Sequence, residues 1–215
     1  MTTTTNDCSS GNGPSDPTFA TDATPSDTSD SGEKPSGLAM HVDFITTAEE
    51  QELLTWINAQ PWEAGPGRRR VQQYGYKYLY DRKSTSPVVT TAIPKVFSDV
   101  MTRLVERKLF PRAPDQIIVN EYQPGQGISP HVDHPRHFGS PIGTLRLSGA
   151  LPMVLALGHS KSYEVWLPRR SFLVLDGEAR STWTHSIVAR KTDVVLGRST
   201  LRPRSISVTF RLMRT

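Results

Sequence analysis

The stretch Asn120-Glu-Tyr-Gln-Pro-Gly-Gln-Gly-Ile-Ser-Pro-His-Val-Asp133 decides how the rest of the chain is read. Its opening belongs to a β-rich run that predicts a strand over 116–122. Gln-Pro-Gly-Gln-Gly then predicts a turn. The stretch ends on His131-Val-Asp133. Side chains two apart on an extended chain point the same way. His131 and Asp133 can therefore offer an imidazole nitrogen and a carboxylate oxygen to one ion.

A third ligand must come from elsewhere. His185 stands 52 residues beyond Asp133, in Ser-Thr-Trp-Thr-His-Ser-Ile. Two histidines and one carboxylate on one face of an octahedral ion leave three positions open, as iron(II) oxygen chemistry requires. Zinc prefers four ligands and would leave one. The last strand, Ser205-Ile-Ser-Val-Thr-Phe-Arg211, adds an arginine. A dicarboxylate co-substrate that chelates iron by its keto acid needs a cation at its far end. Arginine offers a planar, two-pronged grip on a carboxylate.

Further out, strands are expected at 145–156, 162–167, 171–176, 184–188, 193–196 and 205–212. Upstream, Thr46-Thr-Ala-Glu49 has capping-box spacing and opens a helix with Leu53, Leu54 and Ile57 on one face. Pro94 starts a second helix carrying Val96, Phe97, Val100, Met101, Leu104 and Val105. Between them, Val71 to Tyr80 alternates, with Tyr74, Tyr76, Tyr78 and Tyr80 on one face of a strand. The expected class is α+β, mainly β, with the N-terminal helices packed on one side of a sheet core.

Residues 1–38 hold six acidic side chains against Lys34 and are rich in Ser, Thr, Pro and Gly. They cannot bury enough apolar surface to order themselves, so a disordered tail is expected before a domain at 39–215. The whole chain of 215 residues carries +4, so the body behind the tail is strongly basic. That balance suits a polyanionic partner such as nucleic acid. Cys8 is the single cysteine. An internal disulfide is excluded, and a cytoplasmic monomer is the default expectation, with the nucleus as the alternative in a eukaryote. No apolar run is long enough to span a bilayer, and no secretory signal opens the chain.

Asn120-x-Tyr122, Gly125-Gln-Gly-Ile128, His131-Val-Asp133, Leu167-Pro-Arg-Arg-Ser171, Gly177-Glu-Ala-Arg180, Trp183-Thr-His185 and Val208-Thr-Phe-Arg211 together resemble the AlkB family of nucleic-acid oxygenases over about residues 40–215. The Leu-Pro-Arg-Arg-Ser and Trp-Thr-His pieces look most like the branch holding the oxygenase domain of the wobble-uridine tRNA hydroxylase. The resemblance implies a double-stranded β-helix, or jelly roll. It implies Fe(II) on His131, Asp133 and His185, with O2 and 2-oxoglutarate as co-substrates. It implies 2-oxoglutarate contacts from Asn120, Tyr122 and two arginines of the last strand. In the family five residues separate those arginines, whereas here Arg204 and Arg211 have six between them. Either a bulge near Ser205 brings Arg204 back to the pocket, or another cation such as Arg202 serves.

The family's nucleotide-recognition lid maps onto Arg68-Arg-Arg70 and the tyrosine stripe. Arg69, Tyr76 and Tyr78 are the expected substrate contacts, by phosphate pairing and base stacking. A packed sheet face is the other reading of the stripe. His134 and His137, together with His131, suggest a His-rich zinc loop as an alternative metal site. Glu178 and Arg180 are expected in a turn that supports the site, and Trp183 in packing. The implied activity is oxidation of an alkylated or modified base, by demethylation or hydroxylation. The alternatives are a protein- or small-molecule-directed oxygenase and an inactive nucleic-acid-binding relative.

Overall fold

The computed structural model describes Met1, residues 32–78 and residues 88–214. Most of the acidic tail, and Tyr80, lie outside the described residues. In chain order the elements are β1 (Leu38–His41), α1 (Thr47–Ala59), β2 (Glu63–Ala64), β3 (Arg70–Tyr74), β4 (Tyr76–Lys77), β5 (Val88–Val89) and α2 (Ser98–Glu106). Then come β6 (Gln116–Tyr122), β7 (Ile128–His131), β8 (Ile142–Ser148), β9 (Leu151–Leu157), β10 (Lys161–Leu167) and β11 (Phe172–Leu175). The chain closes with α3 (Gly177–Ser181), β12 (Thr184–Ile187), β13 (Thr192–Val195), β14 (Arg198–Leu201) and β15 (Ser205–Arg211).

A seven-stranded sheet runs β1-β11-β8-β15-β6-β3-β2, and a four-stranded sheet runs β10-β9-β12-β7. All of their pairings are antiparallel. The three central strands of the large sheet explain where the site lies. On β15, Ile206, Val208 and Phe210 enter the main apolar cluster, as do Ile117 and Val119 of β6 and Leu145 and Leu147 of β8. The alternate residues point the other way because side chains in a strand alternate faces. Ser207, Thr209 and Arg211, with Asn120, Tyr122, Thr144 and Arg146, are largely polar and line a cavity. The large sheet thus carries a greasy face toward the helices and a polar but buried face toward the site.

The helices cover the greasy face. Leu53 and Ile57 of α1 and Val100 and Leu104 of α2 join the same cluster. Thr46 caps α1 as its spacing predicts: its Oγ1 accepts from the Glu49 N–H, and the Glu49 carboxylate accepts from the Thr46 N–H.

Several expectations change. Leu38 belongs to the first strand, not to the tail, because it packs with Leu173 and Leu175. The long strand expected at 145–156 is two strands joined at Gly149, which sits at φ +64. A Cβ there would lie 2.6 Å from the Arg204 carbonyl oxygen, so only glycine turns the chain so tightly. The tyrosine stripe is broken at Gly75, φ +76. Tyr74 turns into the aromatic cluster with Trp56 and Phe97, whereas Tyr76 and Tyr78 pack around Phe138. The expected turn around Glu178 contains a short helix, α3. Ile128–His131, which is not among the expected strands, pairs with β12.

Candidate active site

The cavity has a volume of about 450 Å³ and is walled by strands of both sheets. His131 and His185 face each other across the pairing of β7 with β12. Asp133 lies just beyond β7 and is buried. All three line the cavity, with Asn120, Tyr122 and Arg211. The sequence therefore brings its expected ligand set, and three of its four expected co-substrate contacts, into one space.

Two of the three ligands are aimed by a neighbour. Nδ1 of His131 donates to the Ser129 carbonyl at 2.8 Å, since a carbonyl can only accept. That leaves Nε2 with its lone pair free for a metal. Arg211 Nη2 donates to Asp133 Oδ1 at 2.6 Å, and the buried Asp133 Oδ2 has no hydrogen-bond partner among the described residues. Arg180 grips the loop that carries Asp133, donating to the Asp133 carbonyl at 2.9 Å, the Phe138 carbonyl at 3.0 Å and the Gly139 carbonyl at 3.3 Å.

Electrostatics set the charge states that a metal needs. Burial alone would raise the Asp133 pKa, but Arg211, both histidines and Arg180 bring it below the usual carboxylate value. Desolvation pulls His185 down to about 4 against the attraction of Asp133, so its ring is neutral. As they stand, no three His, Cys, Asp or Glu side chains among the described residues converge tightly enough to hold an ion. The two imidazoles lean on each other, centroids 4.2 Å apart and planes at 50°. The donors nevertheless fit a divalent ion: two imidazoles and one orphaned carboxylate oxygen facing a cavity. His134 and His137 stack on each other at 4.0 Å, and His137 also lies against Tyr78.

The expectation for Arg204 fails. Its Nε donates to Glu121 at 2.6 Å and its Nη2 to Asn58 at 2.7 Å, on the face away from the cavity. The reason is parity: Arg204 is seven residues before Arg211, an odd step. The hoped-for bulge does not rescue it, because β15 pairs with β6 without interruption from Ser205 to Arg211. A register shift does exist, between β15 and β8, where Ile206 faces Ser148 and Ser207 faces Arg146. The extra residue, Leu147, lies on β8. Arg202 is no substitute, since Asp193 holds its Nε and Nη2 at 2.8 and 2.7 Å.

The substrate-side residues divide. Tyr78 and Arg69 line the cavity, whereas Tyr76 does not. Arg69 is buried, and its Nε donates to Asn120 Oδ1 at 3.1 Å. Arg70 pairs with Glu121, and Arg169 and Arg170 pair with the buried Glu50. Much of the basic run is therefore structural. Trp183 is buried packing. The reading of residues alone passed over Arg146, although the leucines flanking it show by alternation that it faces away from the apolar core.

A protein-family model described as the 2OG-Fe(II) oxygenase superfamily matches residues 40–211. The chain belongs to this superfamily. It is 33% identical over 166 residues to tRNA (carboxymethyluridine(34)-5-O)-methyltransferase alkbh8 of Xenopus tropicalis, covering 75% of this chain and 26% of that protein. It is 32% identical over 179 residues to uncharacterized protein L905 of Acanthamoeba polyphaga mimivirus, covering 82% and 84%. It is 33% identical over 206 residues to the alkylated DNA repair protein ALKBH8 homolog of Arabidopsis thaliana, covering 83% and 58%. The chain thus spans about a quarter of the frog protein and little more than half of the plant one. In fold it matches the structure of OsALKBH1 with a TM-score of 0.64 at 16% identity, covering 83% and 99%. The chain is an AlkB-like, 2-oxoglutarate-dependent dioxygenase with a jelly-roll core, and its cofactors are Fe(II), 2-oxoglutarate and O2. No described helix is long and apolar enough to cross a membrane.

Proposed function

We propose that this dioxygenase oxidises an alkylated or otherwise modified base in nucleic acid, with iron on His131, Asp133 and His185. The observation that carries the site assignment is Asp133. One oxygen is tied to Arg211, and the other is buried beside two histidines without a partner among the described residues. When bound, iron with 2-oxoglutarate and O2 supplies the oxidant that places oxygen on a substrate C–H; an N-methyl group is then lost as formaldehyde, and a carbon centre keeps its hydroxyl.

The chain's own residues do the positioning. Ser129 fixes the His131 tautomer, Arg211 orients Asp133, and Arg180 holds the loop between them and the sheet. Asn120, tethered by Arg69, and Tyr122 wall the part of the cavity assigned to 2-oxoglutarate. Tyr78, packed edge-on to His137, offers an aromatic face to an incoming base. The names of the relatives, which refer to tRNA and to alkylated DNA, and the basic body behind the acidic tail favour nucleic acid as the partner.

The test is succinate formation by the anaerobically iron-loaded protein once O2 is admitted, with methylated RNA or DNA oligonucleotides or with peptides. Stimulation by oligonucleotides is expected. Stimulation by peptides alone would replace the substrate class, and absence of any turnover by iron-loaded protein would refute the active site.

A further inference from the structure

We propose that Arg146, on β8, holds the far carboxylate of 2-oxoglutarate in place of an arginine missing at Ser205 on the last strand. The inference rests on the oxygenase reading above and deepens it.

Parity identifies the missing group. Ser205 lies an even step from Arg211 on an uninterrupted strand, so it occupies the side of β15 that Ser207, Thr209 and Arg211 share. A serine there leaves that side one cation short of the resemblance. The neighbouring strand supplies one. Arg146 sits opposite Ser207, which in turn sits opposite Asn120, so the three form one row across β8, β15 and β6. All three line the cavity. Arg146 Nη1 lies 3.3 Å from Ser205 Oγ, which puts the guanidinium against the position that lacks its arginine. The extra residue on β8, Leu147, sets this register.

The condition of Arg146 points to a ligand. It is 1% exposed, yet Nε and Nη2 have no hydrogen-bond partner among the described residues. No carboxylate among the described residues forms an ion pair with it. Desolvation draws its pKa down to about 10, still leaving it charged at neutral pH. A buried cation with two unused donors is costly unless something anionic meets it. Arg202, equally buried, shows the contrast: its guanidinium is saturated by Asp193 and the Val188 carbonyl. Arg146 keeps two N–H edges for a planar anion inside the cavity.

The experiment uses full-length protein loaded with Mn(II) and measures binding of 2-oxoglutarate and of 2-oxopentanoate, which lacks the far carboxylate, by calorimetry and by the rise in Tm. The wild type should prefer 2-oxoglutarate. Arg146→Gln should bind Mn(II) normally, bind 2-oxoglutarate about 100-fold more weakly, and treat the two acids alike. Its ligand-free Tm should not fall, because an uncompensated charge has been removed. The double variant R146S/S205R, which moves the arginine back to the last strand, should restore the preference. Unchanged 2-oxoglutarate affinity in Arg146→Gln would overturn the proposal and leave the oxygenase reading standing. Wild-type protein that binds Mn(II) but not 2-oxoglutarate would sink the oxygenase reading itself. Should Arg146→Gln fold poorly, Arg146→Lys, which keeps the charge but not the fork, gives the same discrimination through a smaller loss of preference.

Discussion

At the His131–Asp133 end of the cavity neighbours hold His131, Asp133 and the loop behind them; at the Arg146 end a charge stands nearly bare. Ser129 holds His131, Arg211 holds Asp133, and Arg180 holds the backbone beneath both. Opposite them, Arg146 has one neutral hydroxyl at 3.3 Å. A ligand set needs fixed orientation before the ion arrives, which supporting hydrogen bonds provide. A co-substrate carboxylate brings its own charge, so its receptor is best left unpaired. Removing a group at the first end should therefore cost both fold and metal, whereas removing one at the second should cost only the small anion.

The largest effect is expected at Asp133. Asp133→Ala removes a ligand and also strands Arg211, whose Nη2 loses its carboxylate. Iron-dependent turnover should fall to background, and the metal-free protein should lose about 3 kcal/mol as a buried cation is left unpaired. Denaturant unfolding with a parallel Mn(II) titration checks both. Retained metal binding would remove Asp133 from the ligand set.

Arg180→Met comes next. It deprives three buried carbonyls of their donor, which should destabilise the fold by about 2–3 kcal/mol and weaken metal binding roughly 10–100-fold through the loosened loop. A stability loss with intact Mn(II) affinity would make Arg180 a purely structural residue. Either result sharpens the contrast with Arg146→Gln, which should leave metal affinity alone.

The pH response should also separate the two ends. Burial holds His185 near 4, against 6.5 for a free imidazole. Below pH 6.5 the unfolded chain takes up a proton that the native ring refuses. Stability of the metal-free protein should therefore fall as pH drops from 6.5 to about 4, by up to about 3 kcal/mol. Asp133, lowered from 3.8, adds its own loss only as pH falls through still lower values. Arg146 stays charged throughout and contributes no slope. Tm measured across this window should decline for the wild type and less steeply for His185→Gln; equal slopes would remove His185 as the cause.

What could be read in the sequence follows the same division. The strand at 116–122 appears with the expected bounds, and the capped helix at Thr46 is where its spacing puts it. His131 and Asp133 are legible as a two-residue step and His185 through the Trp-Thr-His piece of the resemblance, while the pairing of β7 with β12 brings them into one cavity. The far end was not legible in that way. Arg204 was expected there because it stood nearest the family position, and one residue of parity sent it outward. Arg146 lies on a different strand, and only the pairing of β8 with β15 brings it beside Ser205. Pairing partners are tertiary facts that no local pattern encodes. The tyrosine stripe failed for a local reason that was visible, since Gly75 interrupts it.

The smallest expected effect is the sharpest test of that parity argument. Arg204 is partly exposed, at 37%, and shares Glu121 with Arg70. Arg204→Ala leaves the buried Glu121 carboxylate with Arg70, whose Nε and Nη2 hold both its oxygens. The stability loss should thus be no more than about 1 kcal/mol, as for other solvent-accessible ion pairs. The affinity for 2-oxoglutarate should not move, because the guanidinium reaches Glu121 and Asn58 on the far side of the sheet. A rise in the 2-oxoglutarate requirement of Arg204→Ala, measured beside Arg146→Gln, would mean that β15 slips by one residue when the co-substrate binds. It would return the cation's role to the last strand. An unchanged requirement would show that side-chain parity, not nearness in sequence, chose between the two arginines.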